Sequence, residues 1–162
     1  MSGPYYDVYV LCPERTEALA QRFLAEWAPS RVPAAAEYEI PQYSDKPAHL
    51  FEQPNDVIAF LAQNPTEKQA VYWRARRSDE VEHVMLFFTS DGGMVAGLSI
   101  SDWERPRDEI ARIFFRLAGS VGARFGYVTA EEAPVYETQD AFRAECAGRE
   151  IALIDGANVE PV

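Results

Sequence analysis

The chain reads as an α+β domain, a mainly antiparallel sheet with a central three-stranded meander and helices packed on it. Three observations carry this expectation. Residues 70–100 contain three consecutive strand-like runs, the last two joined by a tight-turn sequence; amphipathic helical stripes flank them on both sides; and the regular strand–helix alternation of a doubly wound parallel fold is missing. With 162 residues, 48% of them hydrophobic, one domain and one proper core are expected.

Tyr5 to Leu11 alternates large apolar residues with others and predicts a first strand. A helix is expected to open at Pro13, where a missing N–H costs nothing, with Glu14 and Glu17 at its positive end. Ala20, Phe23, Leu24 and Trp27 then form one buried stripe before Pro29 stops it. Residues 29–54 hold five prolines, so only a short strand near Glu37 to Ile40 fits in this Pro-rich connection. Val57, Phe60 and Leu61 share a face of a short helix running from Pro54 to Asn64.

In the meander, Ala70 to Arg76 alternates between a core face and a wetter one, and its Tyr72, Arg74, Arg76 and Arg77 suggest an edge strand protected by charge or a basic binding stripe. Val81 to Phe88 is apolar on both faces and should lie centrally. Asp91, Gly92 and Gly93 supply the positive-φ residues of a turn, and Met94, Ala96, Leu98 and Ile100 alternate on the return. A second amphipathic helix is expected from Pro106, with Ile110, Ile113, Phe114, Leu117 and Val121 as its stripe and an Asp108–Arg112 pair on its surface. A strand at 124–129, a small helix from Gln139 to Cys146, and a tail at 148–162 that either adds an edge strand or frays complete the chain. Trp27, Phe23, Met85, Phe87, Leu98, Ile113, Phe114 and Leu117 are expected to be buried together.

No apolar run approaches the roughly 18 to 20 residues of a membrane span, and the N-terminal residues lack the pattern of a secretory signal, so a cytoplasmic location is expected. The net charge of −11 is uneven: residues 1–64 carry 9 acids and 4 bases, 65–130 carry 9 and 9, and 131–162 carry 8 and 2. Such a field repels phosphates, which argues against nucleic acid, and steers a basic protein inward; it equally serves solubility.

Few groups suit catalysis, and no catalytic, cofactor-binding or metal-binding residue is assigned. His49 and His83 have no ligand or acid at zinc spacing. Cys12 and Cys146 are expected to be buried thiols, although a helix opening at Pro13 would lower the Cys12 pKa. Asp91, Asp102 and Glu104 could crowd a cation but are better read as solvated loop acids. The remaining cluster is the loop Asp102, Trp103 and Glu104 together with Glu131, Glu132, Tyr136, Glu137 and Asp140. Aromatic anchors ringed by carboxylates are what an interface with a basic partner uses.

The run FFTSDGGMVAGLSISD, a helix, and then VGARFGYVTAEEAP resembles the C-terminal half of small acidic immunity proteins of bacterial polymorphic-toxin and contact-dependent systems. The resemblance implies an inhibitor that binds a cognate toxin domain without cofactor or turnover, and it transfers no binding residue. The alternatives are a small-molecule-binding or enzymatic α+β domain with a pocket between sheet and helices, and an assembly subunit; a homo-oligomer is left open.

Overall fold

The computed structural model describes residues 5–101 and 105–161. Ten strands and four helices follow in the order β1 (Tyr5–Leu11), α1 (Glu17–Trp27), β2 (Arg31–Pro33), β3 (Tyr38–Ile40), β4 (His49–Phe51), α2 (Pro54–Gln63), β5 (Gln69–Ala75), β6 (His83–Phe88), β7 (Met94–Ser101), α3 (Arg107–Val121), β8 (Gly126–Ala130), α4 (Gln139–Glu145), β9 (Ala152–Ile154) and β10 (Ala157–Val159). Eight strands make one sheet in the order β10-β9-β8-β1-β7-β6-β5-β2, antiparallel at every pairing, while β3 and β4 form a separate hairpin. The α+β reading with its meander β5-β6-β7 therefore holds.

The strands sort their residues by parity onto two faces. On one, Val8, Val10, Val71, Trp73, Val84, Leu86 and Leu98 meet Phe23, Leu24 and Trp27 of α1, Val57 and Leu61 of α2, and Ile113, Phe114 and Leu117 of α3. On the other, Tyr9, Leu11, Met85, Phe87, Val95 and Tyr127 pack under Phe142 and Cys146. Every residue expected in the core is buried. The expectation of a single cluster is corrected, because Met85 and Phe87 point to the opposite face of β6 from Val84 and Leu86.

Local chemistry explains most boundaries. The expected helix start at Pro13 moves to Glu17, because Thr16 is the N-cap and its hydroxyl accepts the Leu19 N–H at 3.2 Å. Arg15, just before it, is drawn inward. Its guanidinium donates to the carbonyls of Leu61 (2.8 Å), Thr89 (2.8 Å), Glu67 (2.9 Å), Asn64 (3.0 Å), Pro65 (3.3 Å) and Gly93 (3.3 Å), tying α2, the segment after it and the β6–β7 turn to the start of α1. Pro54 starts α2 and left-handed Gly122, φ 73°, ends α3. In the β6–β7 turn only Gly92 has positive φ; Gly93 is required for space, since a Cβ there would lie 2.4 Å from the Gln139 side chain.

Two further expectations change, and the choice left open for the tail is decided for the edge strand. Arg112 pairs with Glu109 at 3.6 Å instead of with Asp108. β5 is shielded over Trp73 to Ala75 by β2, which is the edge strand on that side. The tail does not fray: Ile151, Ala152 and Leu153 are buried, and β9 pairs with β8 while β10 forms the edge.

Candidate interaction surface

Three helices cover one face of the sheet, whereas the other is covered by α4 and by the loop 131–138. That loop runs along the strands. At its start the Glu131 N–H donates to the Tyr5 carbonyl at 3.0 Å and the Glu132 N–H to Asp7 Oδ2 at 3.1 Å. Tyr9 Oη then donates to the Glu132 carbonyl at 2.6 Å, and the Val135 N–H donates to Tyr127 Oη at 3.2 Å. At its far end Ser90, in the β6–β7 turn, donates from N and Oγ to the Glu137 carbonyl at 3.1 and 2.6 Å. Asp91 next to it receives the Gln139 N–H at 3.1 Å, in the first turn of α4.

This path decides where the expected interface residues lie. Glu131 and Glu132 sit at the Tyr5 end of β1, and Glu137 and Asp140 at the β6–β7 turn, the opposite end of the sheet. Tyr136 lies between them and packs on Phe87 at 5.0 Å between ring centroids, with the Lys68 ammonium 4.6 Å from its own ring centre. Asp102, Trp103 and Glu104 lie outside the described residues; Ser101 before them pairs with Tyr5 at the Glu131 end. The acids form a band along the loop, not one knot of charge.

Much of that charge is answered locally. Glu137 pairs with Lys68, Asp140 with Arg143 at 2.8 Å, and Glu132 with Arg149 at 3.5 Å. The Thr129 hydroxyl and Arg149 hold the Glu132 carboxyl below the usual carboxylate range. Glu131 is exposed, stands at φ 51°, and has no ion pair among the described residues. Beneath the loop, Asp7 is buried, and burial pushes its pKa up to about 6 against hydrogen bonds from Ser99 and the Glu132 backbone.

Beside the band lies an aromatic patch of which the alternation in β5 marked Tyr72 but no pattern marked Tyr43. Tyr72 is at the edge of exposure and its ring meets Phe87 edge-on at 5.7 Å, on the side of β5 that faces Tyr136. Tyr43 is 81% exposed and held at φ 63°, its N–H donating to Glu39 Oε1 at 2.9 Å. It belongs to the Pro-rich connection, where no repeat marks any side chain as exposed.

The groups weighed for chemistry are placed as follows. His49 is exposed against Phe60, 4.7 Å between centroids, and His83 lies edge-on to Tyr5 at 6.3 Å. Cys12 and Cys146 are buried thiols, as expected; the helix starts at Glu17, four residues after Pro13, and burial pushes the Cys12 thiol up to about 12. Cys146 is likewise pushed up to about 11. Asp91 is engaged by Thr89 and Gln139 at the end of β7 away from Ser101, while Asp102 and Glu104 of the same expected trio lie outside the described residues. No group of three metal-ligating side chains occurs among the described residues, and none of their helices is long and apolar enough to cross a membrane.

No known protein family and no curated protein matches the sequence. Among solved structures, the chain is similar to one described as "Pseudomonas aeruginosa T6SS protein PA0821", at 12% identity and a TM-score of 0.41. The match covers 80% of this chain and 45% of that one, so the chain spans less than half of that structure's length.

Proposed function

We propose that this chain acts by binding a basic protein across the loop-covered face of its sheet, as a bacterial immunity protein that occupies and neutralises a cognate toxin domain. The observation that carries the reading is the band of exposed acids along residues 131–140 beside exposed Tyr43 and Tyr72. Acids at the rim of an interface steer the encounter, and aromatic side chains hold the complex once water is expelled. The opposite face of the sheet is covered by side chains of α1, α2 and α3.

Glu131 is the most useful acid for a test, because replacing it breaks no ion pair among the described residues. With a partner recovered by affinity capture from the native organism, Glu131→Lys should slow association several-fold at low salt and flatten its salt dependence. Trp103→Ala and Tyr43→Ala should instead speed dissociation. Co-expression with the partner should rescue growth if that partner is toxic. A complex whose rates ignored salt and all three substitutions, or a partner harmless to cells, would overturn the reading.

A further inference from the structure

At the outer edge of β5 the sheet is completed by a side chain. The Ala34 N–H donates to the Tyr72 carbonyl at 3.0 Å, after which the chain swings away from β5 and returns at Gln42. The Gln42 amide then takes a strand's place: its Oε1 accepts the Ala70 N–H at 2.9 Å and its Nε2 donates to the Ala70 carbonyl at 3.3 Å. Between departure and return lies a cleft of about 150 Å³, lined by Glu37, Tyr38, Glu39, Tyr43, Gln69 and Tyr72 among others.

Gln69 Oε1, on a cleft residue only 1% exposed, has no hydrogen-bond partner, and Tyr38 Oη, on a cleft residue 4% exposed, lies in reach of the Ala35 backbone N–H without forming a hydrogen bond of good geometry. The Gln69 amide cannot simply be turned over. Its Nε2 donates to the Glu39 carbonyl at 3.3 Å, which leaves an oxygen as the unmatched atom. A buried acceptor without a donor is costly, so Gln69 Oε1 calls for an N–H or O–H group, and the Tyr38 hydroxyl can accept one as well as donate its own. Its lining has two carboxylates and three tyrosines and no lysine, arginine or histidine. Carboxylates and tyrosine faces both favour a cation.

We propose that this cleft binds a guanidinium or alkylammonium group, whose N–H donors satisfy Gln69 Oε1 and Tyr38 Oη while its charge faces Glu37 and Glu39 and its body lies against Tyr43 and Tyr72. An arginine or lysine of a partner protein and a free small cation present the same group. The site therefore deepens the partner reading without depending on it.

The test is an NMR titration of the intact protein with N-methylguanidinium, and with N-methylurea as a neutral probe of the same shape. Saturable shifts are expected at the Gln69 side-chain amide and the Ala70 and Tyr43 amides, with the cation binding about tenfold or more tightly than the urea. Glu37→Gln, at an exposed position, should weaken cation binding severalfold while the dispersed spectrum reports an intact fold. An end-blocked peptide with one arginine separates the sources: binding roughly tenfold tighter than methylguanidinium assigns the cleft to a protein side chain, and equal binding assigns it to a free cation. Absence of saturable shifts, or equal binding of urea and cation, overturns the site. That result would leave the Glu131 kinetics unaffected, so the two ideas fail separately.

Discussion

Asp7 and Arg15 show how much a single buried charge depends on its surroundings. Arg15 keeps its charge in the interior because six carbonyl oxygens surround it, although burial lowers its pKa to about 10. Asp7 is worse off. Burial raises its pKa from 3.8 to about 6, the nearby Glu131 charge adds to the rise, and the Ser99 and Glu132 hydrogen bonds only moderate it. A folded-state pKa above the unfolded one means that the native state binds the extra proton between about pH 4 and 6. The contribution of Asp7 to stability is therefore largest below pH 4 and is lost as pH rises through 6, by an amount on the order of 3 kcal/mol. Asp7→Asn, which keeps an acceptor for the Glu132 N–H, should be more stable than the parent by about that amount at pH 7.5 and no more stable at pH 3.5. Urea denaturation at the two pH values checks this; equal midpoints at both would show that the carboxylate is not strained.

Among the elements, β6 is decisive, because its two faces belong to different clusters. Leu86 belongs to the helix-covered cluster, in which α1 packs on β6, whereas Phe87 packs with Tyr9, Tyr72 and Tyr136. Phe114→Ala and Phe87→Ala should each cost about 3 to 5 kcal/mol. Because the sheet stands between them, their double variant should add within about 0.5 kcal/mol. A double-mutant cycle by chemical denaturation measures this, and strong coupling would mean that the faces share one deformable core. The meander that creates this division was legible in the sequence, since apolar residues on both faces of a strand demand cover on both sides. What supplies the second cover was not. Loop 131–138 has no periodicity, and its place over Tyr9 and Phe87 follows from hydrogen bonds to residues more than 100 positions earlier, such as Asp7 and Tyr9.

For the molecule as a whole, the C-terminal hairpin closes one sheet edge as β2 and Gln42 close the other. Ending the chain after Ala147 would remove β9 and β10, bare the edge of β8 and uncover the core that Ile151 and Leu153 complete. The truncated protein should lose about 3 kcal/mol or more and aggregate, which a denaturation midpoint and light scattering would report. An unchanged midpoint would restore the fraying tail. The interface was legible in part at this scale. The net charge and the acids of 131–140 pointed to the surface, but the local partners Lys68, Arg143 and Arg149, which neutralise three of those acids, come from other segments or from the next turn.

By itself the sequence determined the α+β class, the meander, the main helical stripes and which residues avoid water, because the periods of 2 and 3.6 are written locally in side-chain polarity. Only the tertiary structure decided that β1 lies between β7 and β8, that Met85 and Phe87 leave the main core, that Arg15 anchors α2 to the β6–β7 turn, and that Gln69 and Tyr38 line one cleft, where the Gln69 carbonyl oxygen is an unmatched acceptor. The reason is that a period states which side of an element is buried. What buries it is set by packing among segments far apart in the chain.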